Sequence, residues 1–446
     1  MSSTLTILAI GDIHLGTIPA RLPENLSDAG LSKHDLSPAT AWKCAVDYAI
    51  DQQVDAVLLA GDVVESTNAR FEAIVPLEQG VQELINNNIQ VIAVAGNHDT
   101  DALPRLAKLI NGFHLLGEQG IWDKTTLSKN GRPIVAIIGW SFPERHVLDN
   151  PLAKLDQRAL GLASSTICKI GLLHADLDVS GGPYAPVKTT DLRSIGFDAW
   201  LLGHIHKPSL PQFRGKPTKD AIGYLGSLIG LDPTETGPHG PWILKISSNG
   251  LEEIKQMPIA PLRWEHINIS SDQVSNIEDL SDLLLDQTTK ILQKIKDEGP
   301  VPDVLGIRAT IIGRCSCHKE IQEWIDKREF EKIQRLVDKT WVFYNKIINL
   351  TDTKIDITEI ATGDDPAALL AQRIVILENN HPEAKELIKQ GRSVLESKTK
   401  DSRWEPVKDH RNSPDFLSDE YLRELLIRAG KNALHNMLDQ IPDNNS

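Results

Sequence analysis

Short apolar runs of strand length recur along the first half of the chain: Leu5–Ile10, Ala56–Ala60, Gln90–Ala95, Ile170–Leu173 and Ala199–Leu202. Stretches with helical spacing, such as Pro38–Gln53 and Phe71–Asn86, lie between them. Buried strands alternating with helices up to about Ile246 predict a layered α/β sandwich, closed by strands at Gly223–Ser227 and Pro241–Ile246.

The pattern changes near Pro258–Pro261. A strand (Arg263–Ile269), a long amphipathic helix (Ile277–Lys296), a strand (Val304–Ile312), a helix (Lys319–Leu336) and an apolar stretch (Trp341–Ile348) come next, in that order. This order predicts a small α/β domain. From Asp364 onward the pattern is helical and polar, interrupted at Lys398–Pro414, and Phe416–Leu438 repeats apolar residues at three and four. That last helix either packs on its own domain or docks a partner. The organisation expected is therefore 1–258, 259–360 and 361–446.

The residues at the end of each apolar run carry the chemistry. Asp12-Ile13-His14, Gly61-Asp62, Gly96-Asn97-His98-Asp99, His174 and Gly203-His204-Ile205-His206 each stand directly after a predicted strand. Neighbouring strands would gather them at one sheet end, where open α/β sheets place their active sites. Asp-x-His alone carries little information; the ordered set does. A pair of divalent cations about 3.5–4 Å apart can clamp both oxygens of an in-line displacement at phosphorus and lower the pKa of bound water. Such a pair needs a bridging carboxylate together with imidazole, carboxylate and amide oxygen ligands, which are the residue types present.

The ordered set resembles the calcineurin-like metallophosphoesterase superfamily, whose pattern is D-x-H, G-D-x, G-N-H-D/E, H and G-H-x-H. The resemblance implies a four-layer sandwich of two mixed β-sheets flanked by helices, with the α/β segment as a cap and a helical C-terminal tail. It implies that Asp12, His14, Asp62 and His206 surround one metal, and that Asp62, Asn97, His174 and His204 surround the other. His98 would face the phosphate. Glu65, three residues beyond the bridging carboxylate, would hold His98 in one tautomer; the plainer alternative is a solvated residue at a helix start.

Gly203-His204-Ile205-His206-Lys207-Pro208, Tyr224-Leu225-Gly226-Ser227 and the cap-and-tail order resemble the Mre11/SbcD-type DNA repair nucleases. That resemblance implies a DNA exonuclease and endonuclease with two divalent ions, Mn2+ foremost. It also implies a homodimer and a tail docked on an SMC-like ATPase of the Rad50/SbcC type. The cap and tail show no motif that matches residue by residue, so the partner rests on architecture. The lack of an Arg after Glu65 argues against a protein phosphatase. A phosphodiesterase of small esters and a non-catalytic scaffold are the competing readings.

Charge is the main obstacle to a nucleic-acid partner. The 446 residues carry a formal charge of -14, whereas affinity for a polyanion depends on Lys and Arg. Arg214–Lys219 and Lys398–Lys408 are only modest basic clusters; bound cations and a basic partner would offset the deficit. Hydrophobic and charged shares of 41% and 24% are ordinary. No apolar run approaches a membrane span or a signal peptide, so a cytoplasmic protein without membrane contact is expected. Cys44 and Cys168 read as buried thiols. Cys315-Ser316-Cys317-His318 makes a poor tetrahedral zinc set, with no second cysteine pair. His34, His114, His146, His239 and His266 read as surface or core histidines, although His239, in Gly237-Pro238-His239-Gly240, could line the cleft.

Overall fold

Strands β1 (Leu5–Ile10), β2 (Ala56–Ala60) and β3 (Gln90–Val94) coincide with the first three apolar runs and lie parallel, side by side. The computed structural model describes residues 4–65, 71–162, 167–215, 220–353, 357–399 and 418–438. Helices α1 (Pro38–Asp51) and α2 (Phe71–Asn86) connect these strands. The start of α1 is fixed locally: Ser37 Oγ accepts the Thr40 N–H at 3.3 Å, and Pro38 occupies the first helical turn.

The chain continues through α3 (Ala102–Leu109) and β4 (Phe113–Leu115) into an antiparallel hairpin, β5 (Asp123–Lys129) and β6 (Arg132–Trp140). Next come β7 (Cys168–His174), α4 (Thr189–Ile195), β8 (Ala199–Gly203), β9 (Phe213–Arg214), β10 (Ala221–Tyr224), β11 (Trp242–Ser247) and β12 (Gly250–Gln256). Two mixed sheets result, with strand orders β4-β3-β2-β1-β11-β12-β9 and β10-β8-β7-β6-β5.

Strand alternation explains how the sheets stack. In β1, Ile7 and Ala9 join Ile137, Ile170, Leu172 and Leu201 in the apolar layer between the sheets. Leu8 and Ile10 point the other way, toward Trp42, Val46 and Leu77 of α1 and α2. The outer face of the second sheet packs Trp140, Trp200 and Leu202 with Leu192 of α4. The layers thus run helix, sheet, sheet, helix, as expected.

Beyond residue 258 come β13 (Leu262–Ser270), α5 (Ile277–Glu298), β14 (Val304–Cys315), α6 (His318–Asp326), β15 (Arg335–Val337) and β16 (Thr340–Thr353). They form a third sheet, β13-β14-β16-β15. Helix α5 covers one face, where Tyr344 donates its hydroxyl to the Leu284 carbonyl at 2.8 Å. The helix expected over Lys319–Leu336 stops at Asp326. Arg328 takes a left-handed φ of 54°, which interrupts the helix, and Arg335–Val337 then pairs antiparallel with Val342–Thr340. Cross-strand pairing outweighs the helical spacing there.

Two compact units emerge. The first comprises residues 1–270, 277–312 and 321–350; the second comprises 271–276, 313–320 and 351–446. Most of the segment expected as a cap falls in the first. In the second unit, α7 (Ile357–Ile360) precedes α8 (Pro366–Glu378), α9 (Ala384–Thr399) and α10 (Asp419–Leu438). Leu422 and Leu434 of α10 are buried against Leu377, Ile388 and Ile374, so this helix packs on its own unit along that face. The interruption expected at Lys398–Pro414 lies almost wholly outside the described residues. Among the described residues, no helix is long and apolar enough to cross a membrane.

Candidate metal centre

The loops after β1 and β2 are laced together by backbone bonds. Ile13 and His14 donate their N–H groups to the Asp62 carbonyl at 3.0 and 2.9 Å, and Leu15 donates to Val63 at 2.9 Å. Asp12, His14, Asp62 and His204 all have positive φ, from 35° to 110°. Two glycines permit the close approach of neighbouring loops. A Cβ on Gly96 would lie 2.2 Å from Asp62 Oδ1, and one on Gly203 would lie 2.1 Å from the Ala60 carbonyl.

Side chains from five strand ends then converge. Asp12 accepts the His204 N–H at 2.9 Å, and Asp62 Oδ1 accepts the His98 N–H at 2.9 Å. His14 Nε2 and His206 Nε2 stand 3.0 Å apart. His174 Nε2 is 2.9 Å from Asn97 Oδ1 and 3.3 Å from Asp62 Oδ2. Donor atoms of Asp12, His14 and His206 lie within 4.8 Å of one another, as do those of Asp12, Asp62 and His174.

The donor chemistry fits cations. His174 Nδ1 donates to the Ala60 carbonyl at 3.1 Å, so Nε2 presents a lone pair to two oxygen acceptors. His206 Nδ1 is engaged by Glu235 at 2.8 Å, so its Nε2 presents a lone pair toward His14. Lone pairs and carboxylates crowded together in this way need positive charge between them. The same demand shows in how these groups hold protons. Burial alone would lower the His174 imidazole, but the charge and hydrogen bond of Asp62 outweigh it and raise His174 to about 9. Burial likewise opposes ionisation of Asp62, yet His174, His14 and the His98 N–H hold its carboxyl well below the usual range.

His98 and Glu65 also meet: Glu65 Oε2 is 2.9 Å from His98 Nδ1 and 3.6 Å from His14 Nδ1. His204 is placed differently from the other imidazoles. Its Nε2 faces Asp176 Oδ1 at 3.1 Å, which leaves Nδ1 as its remaining donor. Burial and the neighbouring His174 charge lower the His204 imidazole.

Three acids outside the expected ligand set complete the surroundings. Asp99, the last residue of Gly-Asn-His-Asp, accepts the Gly96 and Val63 N–H groups at 2.7 Å each and so ties the β3 loop to the β2 loop. Burial, then the charge of Asp62, raises its carboxyl to about 7. Asp176 stands two residues after His174, the same spacing that separates Asp12 from His14, and that spacing is a signal in the sequence. Glu235 stands far from every signature, and nothing in its spacing marks it.

Two further histidines have other partners. His239 is buried and bonded to Ser227 and the Glu235 carbonyl. His318 Nδ1 meets Thr351 Oγ1 at 2.8 Å. Among the described residues, no cysteine joins a group able to hold a metal.

Residues 5–208 match the family model for calcineurin-like phosphoesterases. The uncharacterized metallophosphoesterase YhaO of Bacillus subtilis is 26% identical over 299 residues, covering 66% of this chain and 70% of that protein. A dimetal phosphatase from Danio rerio superposes with a TM-score of 0.36 at 14% identity, covering 56% of this chain and 99% of that one. The nuclease MPE of Pseudomonas putida gives 0.23 at 12% identity, covering 55% and 86%. The segment matched by the calcineurin-like phosphoesterase model spans every strand-end signature described above.

Proposed function

We propose that this metallophosphoesterase is a two-metal DNA nuclease, cutting phosphodiester bonds as an exonuclease and endonuclease. Asp12, His14, Asp62 and His206 would hold one ion, and Asp62, Asn97, His174 and His204 the other, with Mn2+ the ion expected. Bound there, the ions would lower the pKa of a water nucleophile and neutralise charge on the phosphodiester. His98, 33% exposed at its side chain, would contact the phosphate and protonate the leaving oxygen. Glu65 would fix the tautomer that does so.

One observation supports a polymeric substrate over a small ester. The third sheet is joined to the loops beside His206: Trp264 donates to the Gly230 carbonyl at 3.2 Å, and Asn345 donates to the Arg21 carbonyl at 3.1 Å. The face of that sheet away from α5 carries His266, Arg308, Thr310 and Asn345, linked by His266–Thr310 and Arg308–Asn345 bonds of 3.0 and 3.1 Å. His266 is exposed and Arg308 and Asn345 are partly so, and polar groups presented in this way suit a nucleic-acid strand. The net charge of -14 favours a smaller ester, unless a basic partner contributes. A homodimer working with an SMC-like coiled-coil ATPase, docked through the helical tail, is that proposed partnership.

The test is hydrolysis by purified protein with Mn2+, on labelled duplex and single-stranded DNA and on an aryl phosphodiester, beside a His98→Ala control. DNA cutting that is lost in the control is expected. Cleavage of the small ester with no DNA cutting, even with the ATPase present, would overturn the nuclease reading. Metal binding without any hydrolysis would favour a scaffold.

A further inference from the structure

We propose that Asp176 and Glu235 are a matched pair of positioning residues. Together they dictate which nitrogen each histidine of Gly203-His204-Ile205-His206 turns toward the metal centre. The inference rests on reading that centre as a metal site, and it concerns two acids outside the ligand set.

The two histidines are held by opposite nitrogens. Glu235 Oε1 accepts the His206 Nδ1–H at 2.8 Å, which fixes the tautomer with its lone pair on Nε2, the atom facing His14 Nε2 at 3.0 Å. Asp176 Oδ1 instead engages His204 Nε2 at 3.1 Å, which leaves the lone pair on Nδ1. A strand end delivers both side chains within three residues, so without such partners either ring could present either nitrogen. A carboxylate on the far nitrogen both selects the tautomer and raises the basicity of the inward one.

Each acid is itself immobilised, as a device for orientation requires. Glu235 Oε2 accepts the Leu231 N–H at 2.8 Å and the Ser227 hydroxyl at 3.4 Å. Asp176 Oδ2 accepts the Tyr184 N–H at 3.2 Å, and a Cβ on Gly182 would lie only 2.2 Å from that oxygen. Both carboxyls are mostly buried, with side-chain exposures of 17% and 8%. Neither acid can swing away without breaking its loop.

These loop bonds also define the competing explanation, in which the acids only staple residues 176–184 and 227–235. Glu235→Gln and Asp176→Asn separate the two. Each amide keeps an oxygen for the loop N–H but has lost the charge that holds the imidazole. Calorimetric titration of Mn2+ into the full chain after chelator treatment is the readout, beside the melting temperature of the metal-free protein. Glu235→Gln is expected to weaken one of two Mn2+ sites by about 10- to 100-fold, and Asp176→Asn the other, with metal-free melting close to the unsubstituted chain. Unchanged affinity at both sites in both variants would overturn the proposal. So would affinity losses that simply track lowered metal-free melting, the pattern of a staple. If the unsubstituted chain bound no Mn2+, the metal reading itself would fall and this proposal with it.

Discussion

Glu65→Gln tests whether the acid after the bridging carboxylate acts through His98. Its carboxylate lies 2.9 Å from His98 Nδ1 and 3.6 Å from His14 Nδ1, so it touches one residue proposed to act on the phosphate and one proposed to bind metal. A hydrogen bond to a charged group contributes about 1.5–3 kcal/mol. With the His98 side chain 33% exposed, solvent competes for it, and the lower part of that range applies. About 1.5–2 kcal/mol of lost orientation corresponds to a fall in kcat of roughly 10- to 30-fold. The assay is Mn2+-dependent hydrolysis of an aryl phosphodiester, run also with Glu65→Ala and with each substitution on a His98→Ala background. If Glu65 works by orienting His98, its removal has no further effect once His98 is gone, and the cycle returns a coupling energy close to the single-variant loss. Additive losses would refute this reasoning. A fall in Mn2+ affinity as large as the fall in kcat would also refute it, moving the effect of Glu65 to His14.

Packing and electrostatics set three further outcomes. Gly171→Ala would place a Cβ 2.1 Å from Trp200 Cε3 inside the second sheet, and overpacking of that kind costs about 1–3 kcal/mol; an unchanged urea midpoint would contradict the close contact. Chelation should lower the melting temperature, and Mn2+ at a hundredfold excess over its Kd should restore about 2.7 kcal/mol per site; melting indifferent to both would dissociate the centre from fold stability. Burial pushes Tyr224 and Tyr344 up to about 12 from an ordinary 10. The folded chain therefore holds these protons more tightly than the unfolded one. Their contribution is complete below pH 10 and is lost as pH rises through 12, at roughly 2–3 kcal/mol for the more deeply buried Tyr344 and less for Tyr224. Urea midpoints at pH 9, 10 and 11 would show the decline, and Tyr344→Phe should shrink it.

The parts of this fold legible in sequence are those where one physical demand dominates. Strands β1, β2, β3, β7 and β8 are buried on both faces over most of their length, so each reads as an apolar run, and a polar signature stands at the end of each run. Strand β5 defeats that reading. Asp123-Lys124-Thr125-Thr126-Leu127-Ser128-Lys129 lies at the edge of its sheet with only Leu127 fully buried, and a polar edge strand has no apolar signal to give. The stretch after Asp326 fails for a different reason: apolar residues at helical spacing are claimed by pairing with β16, which only the fold supplies. The site divides in the same way. Strand-end ligands are local, whereas Glu235 reaches His206 because the chain returns beside it through the loop at Ser227.

Backbone strain at the ligands points to what this division means for function. Asp12, His14, Asp62 and His204 hold positive φ, a conformation that costs on the order of 1–3 kcal/mol for a residue other than glycine. The strain is offset by bonds the ligand loops make to one another. The Asp62 carbonyl receives two N–H groups at 3.0 and 2.9 Å, the Asp12 carboxylate receives the His204 N–H at 2.9 Å, and the Asp62 carboxylate receives the His98 N–H at 2.9 Å. The same carboxylates that would bind cations thus fix the backbone that carries the other ligands. On the proposed reading, ion binding would not need to refold any of these loops, and the geometry for phosphoester chemistry would be written into a few residues at strand ends. Substrate choice has no such local anchor. On the reading proposed above it would depend on surfaces such as the face of the third sheet that carries His266, Arg308 and Asn345, brought together by strand register, so the proposed reaction is legible from five short signatures and the substrate only from the assembled fold.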